Sequence, residues 1–269
     1  MNMLNLKKTG VITAGILALS GCFGSDQPGN NGQVEKLKSS LSQSNAHQPE
    51  ITRLDKRLVL METAGLMKKK TSMVKLMEQY VEPRLVDLNS GQFIDDTERL
   101  ENYDAEVART DPSLSVSLAE KDDYAGLKRR ENIAKVFLIK DEQGRYDRVA
   151  LPVRAFGKFS LLQGYLALEL DNLSISGLGF YQHAETPGLG GKIIDEPEWV
   201  QQFIGKQIFS EGKPDFQVVV NHRQVIGDHS VDGISGATLT SHGVQNALNF
   251  WCGEQGFGPF LRNLKISVG

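Results

Sequence analysis

Residues 136–139 read Val-Phe-Leu-Ile, residues 140–145 read Lys-Asp-Glu-Gln-Gly-Arg, and residues 149–153 read Val-Ala-Leu-Pro-Val. Both apolar runs are too short for helices, and the polar stretch between them holds Gly144. This pattern predicts a hairpin, and with it a sheet. Toward the C-terminus, residues 165–170 alternate as a strand does, and residues 173–179 and 216–220 supply two further strand candidates. Pro197 opens a short predicted helix over residues 198–204. A longer helix is predicted from about Thr240 to Trp251, with Val244, Ala247, Leu248 and Trp251 on one face. Toward the N-terminus, Leu54, Leu58 and Met61 recur at helical spacing. Residues 66–80 continue in that style beyond Gly65. Residues 95–130 are highly charged and read as exposed helix and loop, and Lys68, Lys69 and Lys70 read as a solvated patch. Strands and helices that do not strictly alternate argue for a single α+β domain rather than a doubly wound sheet.

The start of the chain belongs to no fold. Lys7 and Lys8 precede an apolar stretch from Val11 to Leu19, far short of the roughly 20 residues that span a bilayer as a helix. A positive flank, a short apolar core and small residues before a cut site mark a secretory signal over residues 1–21. Its end, Leu19-Ser20-Gly21-Cys22, resembles the lipobox of bacterial lipoproteins, in which the cysteine is lipidated and becomes the mature N-terminus. Lipid on Cys22 would anchor the chain without a spanning helix. Residues 23–50 are rich in Gly, Ser, Asn and Gln and read as a flexible tether, so the folded part is expected over residues 51–269.

Composition narrows the function. A formal net charge of −3 over 269 residues argues against a nucleic-acid partner, which calls for a basic face. Two cysteines, Cys22 and Cys252, are too few for a disulfide framework or a four-cysteine metal site. The five histidines have no HExxH or CxxC companions, which argues against a protein-bound metal. There is no GxGxxG segment of a dinucleotide fold.

Two glycine-rich segments look like a site. The first is Glu185-Thr186-Pro187-Gly188-Leu189-Gly190-Gly191, whose proline and three glycines make a loop that lets a backbone approach a flat ligand. The second is Asp232-Gly233-Ile234-Ser235-Gly236-Ala237-Thr238-Leu239-Thr240-Ser241, which presents several hydroxyls just before the last predicted helix. Thr240 or Ser241 suits the N-cap of that helix. The helix end itself, with unpaired N–H groups and partial positive charge, suits a phosphate. Taken alone, each segment reads equally as a surface turn or a capping loop without a ligand.

Together the segments resemble the FMN-binding domain of the NqrC family, a subunit of the sodium-translocating NADH:quinone reductases. The resemblance runs from about residue 54 to residue 264. It includes Glu82-Pro83-Arg84-Leu85-Val86-Asp87 and Gly256-Phe257-Gly258-Pro259-Phe260-Leu261. The Asp-x-x-Ser-Gly-Ala-Thr pattern resembles the acceptor of a periplasmic FMN transferase. In that family the threonine closing the motif is joined to the flavin phosphate, which implies covalent FMN on Thr238. Asp232, Ser235, Gly236 and Ala237 would serve attachment. Glu185, Thr186, Leu189 and Gly190 would meet the flavin, with Phe159 as a stacking aromatic. The resemblance further implies one component of an NADH:quinone oxidoreductase that relays electrons from NADH toward ubiquinone, coupled to sodium export. Its partners would be the other subunits of the complex, and its place the periplasmic face of the inner membrane.

The chain departs from the family at two points. A lipobox stands where the family enters the membrane through one helix, and Gly157-Lys158-Phe159-Ser160 carries a lysine where an apolar residue is usual. A cation there would favour the reduced or anionic semiquinone flavin. The lipid anchor keeps open a second reading, the RnfG component of the related Rnf complex or a free-standing lipid-anchored flavoprotein. A ligand-binding lipoprotein without redox function is a third.

Overall fold

The computed structural model describes residues 50–67, 69, 71–220 and 227–268. Cys22, the tether up to residue 49, Lys68 and Lys70 lie outside the described residues. Strand β1 (Thr52–Arg53) leads into helices α1 (Lys56–Thr63) and α2 (Met73–Tyr80). Asp55 caps α1 by accepting from the Arg57 N–H, and Ser72 caps α2 by accepting from the Lys75 N–H. The helical pattern after Gly65 therefore does not run on unbroken. Gly65 turns the chain at φ +70, and helix resumes only at Met73. Strands β2 (Val81–Asp87) and β3 (Gln92–Ile94) follow, then the short helices α3 (Thr97–Glu101) and α4 (Ala105–Thr110).

The charged segment 95–130 is more structured than its composition suggests. It holds β4 (Ser115–Ser117), which pairs antiparallel with β5 (Arg129–Glu131). Arg130, Glu131 and Ala125 are buried. Among the three lysines, Lys69 is described, and it is no free cation: its Nζ donates to Glu142 at 2.8 Å and lies over the Tyr80 ring.

Strands β6 (Ile133–Lys140), β7 (Tyr146–Phe156), β8 (Leu161–Glu169) and β9 (Ile175–His183) form the centre of the molecule. The expected hairpin is β6–β7, turning at Gly144 with φ +82. All pairings in the seven-stranded sheet are antiparallel, in the order β1-β9-β8-β7-β6-β2-β3. Beyond β9 come α5 (Lys192–Asp195), α6 (Pro197–Gln201), a ribbon of β10 (Phe209–Ser210) and β11 (Lys213–Pro214), and β12 (Gln217–Val219) paired parallel with β13 (Ser230–Asp232). Helices α7 (Thr238–Cys252) and α8 (Gly258–Val268) close the chain.

The sheet is covered on both faces. Val136, Val149, Leu151, Val153 and Leu166 pack with Val244, Leu248 and Trp251 of α7 and with Phe257 and Phe260. Ile139, Ala150, Ala167 and Tyr165 pack on the other side with Val59, Leu60 and Met61 of α1 and Leu76 of α2. Double burial explains why residues 149–151 read as a continuous apolar run rather than an alternation. Each large side chain so buried stabilises the fold by roughly 1.5–3 kcal/mol.

Helix α7 is fixed along its length by polar side chains. Asn249 Oδ1 accepts from the Phe216 N–H and Gln245 Oε1 from the Val218 N–H, both at 2.9 Å, which seats β12 on the helix. Near the C-terminal end the Trp251 indole N–H donates to the Arg154 carbonyl at 2.8 Å. The Arg154 guanidinium lies 4.6 Å over the Trp251 ring and pairs in a fork with buried Glu131. The N-terminal end of α7 is where the glycine-rich segments meet.

Candidate functional site

Three segments distant in sequence converge at the start of α7. The first is the β7–β8 turn, residues 157–160, closed by the Gly157 N–H donating to the Ser160 carbonyl at 2.9 Å. The second is the loop after β9 that begins at Glu185. The third is the stretch from Asp232 into α7.

Glu185 joins all three. Its side chain is 2% exposed, and it gathers donors from both other segments. The backbone N–H groups of Lys158, Phe159 and Ser160 donate to it at 3.1, 3.0 and 3.1 Å, and the Ser160 hydroxyl donates at 2.9 Å. Three successive amides aimed at one carboxylate form an anion-binding nest. From the third segment the Thr240 hydroxyl donates at 2.6 Å. Burial pushes the Glu185 carboxyl up, but the Thr240 and Ser160 hydroxyls and the Phe159 and Lys158 amides outweigh it and hold the group below its ordinary value. The Glu185 N–H in turn donates to His183 Nδ1 at 3.0 Å. That bond places the imidazole proton on Nε2, and burial lowers the His183 pKa, so the ring is neutral.

Tight approach here depends on glycine. A Cβ on Gly190 would stand 2.5 Å from Thr240 Oγ1, and one on Gly157 would stand 2.9 Å from Glu185 Oε1. Gly236 adopts φ +76, and a Cβ there would meet Leu189 Cδ2 at 3.1 Å, so the two glycine-rich segments touch. Gly243, one turn into α7, faces the Phe156 carbonyl at a distance that leaves no room for a side chain.

The helix start differs from the sequence expectation. α7 begins at Thr238, two residues earlier, with Ala237 as N-cap and no side-chain cap bond. Thr240 and Ser241 are therefore not caps. Both are buried in the first turn: Thr240 holds Glu185, and Ser241 Oγ accepts from the Ile234 N–H at 2.9 Å. Because no side chain among the described residues takes the first-turn amides, the positive end of this helix is left open to a ligand. Thr238, Ser235 and Gly236 are exposed around it, while Ala237 is buried. Asp232 ends β13 with an exposed side chain, and its backbone does the positioning. Its carbonyl accepts from the Trp199 indole at 2.8 Å and its N–H donates to Gln202 Oε1 at 3.2 Å.

Large apolar side chains stand exposed around this point: Phe159 at 52%, Leu189 at 42% and Leu239 at 55%. Lys158 Nζ lies 4.7 Å over the Phe159 ring. Thr186 is half-buried, and its carbonyl accepts from the Leu189 and Gly191 N–H groups, shaping the loop. Of the residues expected from the sequence, Phe159, Glu185 and Gly190 meet at the start of α7 and Leu189 meets Gly236, while Asp232, Ser235 and Thr238 stand exposed on the approach to the helix, Ala237 is buried, Thr186 lies in the loop, and Cys22 lies outside the described residues. Ser160, His183 and Trp199 were not expected, because nothing in a lone Ser, His or Trp signals which loop it holds. Among the described residues no group of three or more His, Cys, Asp or Glu is placed to hold a metal.

The FMN-binding domain family matches residues 157–253, from the amide nest to Gly253, which caps the end of α7. The chain is 38% identical over 224 residues to the NqrC component of the Na(+)-translocating NADH-quinone reductase of Yersinia pestis, covering 82% of this chain and 83% of that one. It is 41% identical over 213 residues to the corresponding component from Vibrio vulnificus strain YJ016, covering 79% and 82%. The crystal structure of Shewanella oneidensis NqrC superposes with a TM-score of 0.72 at 32% identity, covering 78% of this chain and 98% of that one. The counterpart from Parabacteroides distasonis, at 23% identity and a TM-score of 0.55, shares the fold.

Proposed function

The chain belongs to the NqrC family of Na(+)-translocating NADH-quinone reductase components, and on that basis we propose that its FMN is joined through phosphate to Thr238 and lies on the loop led by Glu185. The protein is the FMN-binding, electron-transfer subunit of such a reductase, and its partners include the other subunits of that membrane complex. The open, uncapped start of α7 beside an exposed threonine is the observation that carries the attachment. A phosphoester on Thr238 would bring one negative charge, shared by two oxygens, to the start of α7, where the helix dipole favours it.

The surrounding residues fit a flat aromatic group. Leu189, Leu239 and Phe159 offer apolar surface that is otherwise exposed, and Gly190 lets the loop close on Thr240 and Glu185 beneath it. Glu185 holds the loop and the β7–β8 turn in register with α7, so it positions the site through Thr240 and the amide nest. Thr186 shapes the loop that carries Leu189. Ser235, Gly236 and the exposed Asp232 leave an accessible stretch of backbone for the transferase that would join the flavin. The bound FMN supplies one-electron transfer. Joined through phosphate, the flavin would keep its isoalloxazine ring chemically unaltered. Mass spectrometry of the peptide spanning residues 232–241 is expected to find the added FMN mass on Thr238. The same mass on Ser235 or Thr240 would overturn the assignment.

The membrane attachment we propose rests on the Leu19-Ser20-Gly21-Cys22 motif. Among the described residues no helix is long and apolar enough to cross a membrane. We assign the anchor to lipid on Cys22, with residues 1–21 removed and the flavin domain at the periplasmic face of the inner membrane. Cys22→Ser is expected to release the domain from the membrane fraction. Retention of both forms at the precursor mass would refute lipidation. Similarity to NqrC over about four fifths of the chain favours the sodium-pump reading over an Rnf-type or free-standing carrier.

A further inference from the structure

The sheet face away from α7 carries a cavity of about 400 Å³ that the flavin site does not use. Strand registers build its floor. Phe137 on β6 sits opposite Ala150, Pro152 on β7 opposite Tyr165, and Arg154 opposite Gln163 on β8. Residues two apart share a face, so Phe137, Gln163, Tyr165 and Lys135 point to this side, and Arg154 lines the cavity while its guanidinium also reaches the Trp251 ring. α1 contributes Lys56 to the wall, and the chain from Tyr103 into α4 closes another side.

Most charges around the cavity are satisfied within the protein. Arg154 pairs with Glu131, Arg109 pairs with Glu106, and Asp104 caps α4 by accepting from the Glu106 and Val107 amides. Two cations are left over. Lys135 and Lys56 have no carboxylate within salt-bridge distance among the described residues, and each lies over an aromatic ring: Tyr103 at 5.3 Å and Tyr181 at 5.1 Å. Lys56 feels Asp104 only at longer range. Burial without a compensating charge lowers the Lys135 pKa. The four cations and three anions of the lining leave the cavity with a formal excess of one positive charge.

The neutral groups are unanswered as well. Tyr165 and Tyr181 are 7% and 8% exposed, and neither hydroxyl has a hydrogen-bond partner among the described residues. Burial raises both phenols, so they stand as O–H donors across the physiological range. The Gln163 amide is also without a partner among the described residues. All three residues line the cavity, so their donors are open to an occupant that can accept. Cations and donors converging on one opening, backed by the rings of Phe137, Tyr165 and Tyr181, call for an acceptor-rich, partly flat occupant.

We propose that this cavity binds a small organic anion, a carboxylate with a flat apolar body. Its charge answers Lys56 and Lys135, its oxygens accept from the Tyr165 and Tyr181 hydroxyls, and its body lies against Phe137. The site is on the opposite face of the sheet from Thr238 and does not depend on the flavin assignment.

Benzoate serves as the probe, with benzamide as its uncharged counterpart. Titrated into the full flavin-loaded chain carrying ring-labelled tyrosine, benzoate is expected to move the Tyr165 and Tyr181 signals saturably. Benzamide is expected to bind at least ~10-fold more weakly, and Lys135→Met and Lys56→Met each to weaken benzoate by ~5-fold or more, as loss of a charged hydrogen-bond donor would. Lys56 sits on the exposed side of α1, so Lys56→Met keeps the test readable if Lys135→Met unfolds. Signals unmoved by benzoate, equal binding of benzamide, or undiminished affinity in Lys56→Met would overturn the proposal.

Discussion

The Thr240 hydroxyl donates to Glu185 Oε2 at 2.6 Å, joining the first turn of α7 to the loop after β9 across 55 residues of sequence. Both groups are buried, and the bond is charge-assisted. Thr240→Val keeps the shape and removes the donor, leaving a buried carboxylate short of its closest partner. The expected cost is about 1–3 kcal/mol in denaturant unfolding. Thr240→Ser restores the hydroxyl and is expected to recover most of it. A Val variant as stable as the wild type, within about 0.5 kcal/mol, would show that the bond contributes nothing.

Glu185 also ties stability to pH. Its folded pKa lies below the ordinary 4.5. A depressed carboxylate contributes stability in full above its unfolded value, and loses it as the pH falls through the folded value. The stability gap between wild type and Glu185→Gln is therefore expected to be constant near neutrality and to shrink as the pH falls below 4.5. Unfolding curves from pH 7 down to about 3 read this directly. A gap that widens in acid would mean that the carboxyl is held in its protonated form.

The sheet and the last helix were legible because their signals are local. Gly144 between two short apolar runs specifies a hairpin, and Val244, Ala247, Leu248 and Trp251 specify one buried helix face. The start of α7 was misplaced by two residues for a physical reason. Thr240 and Ser241 have the chemistry of caps, but their hydroxyls are taken by Glu185 and by the Ile234 amide. Such long-range partners leave no trace in neighbouring residues. The same holds for Gly190, which looks like any loop glycine until a Cβ is set against Thr240 Oγ1. The strands hidden in residues 95–130 were masked by charge, since Arg130 and Glu131 are buried only through partners elsewhere in the fold.

Phe159 is expected to pack on the flavin ring. It is half exposed, held in place by its own amide on Glu185, and crossed by Lys158 Nζ. Phe159→Ala removes an aromatic face without touching Thr238, so it is expected to shift the flavin absorption and midpoint potential while attachment persists. Lys158→Met is expected to lower the potential, because a nearby cation favours the reduced, anionic flavin. Unchanged spectra and potentials in both variants would place the ring elsewhere.

The central claim is that Thr238, of the four hydroxyl residues at positions 235–241, carries the FMN. Thr240 and Ser241 are buried and engaged, whereas Thr238 is exposed at an uncapped helix start. The direct test coexpresses wild type, Thr238→Ala, Ser235→Ala, Thr240→Ala and Ser241→Ala with the FMN transferase, and reads flavin fluorescence in a denaturing gel. Thr238→Ala is expected to be dark, while the other variants stay fluorescent, the two buried positions at reduced abundance from lost stability. A fluorescent Thr238→Ala band would contradict the account.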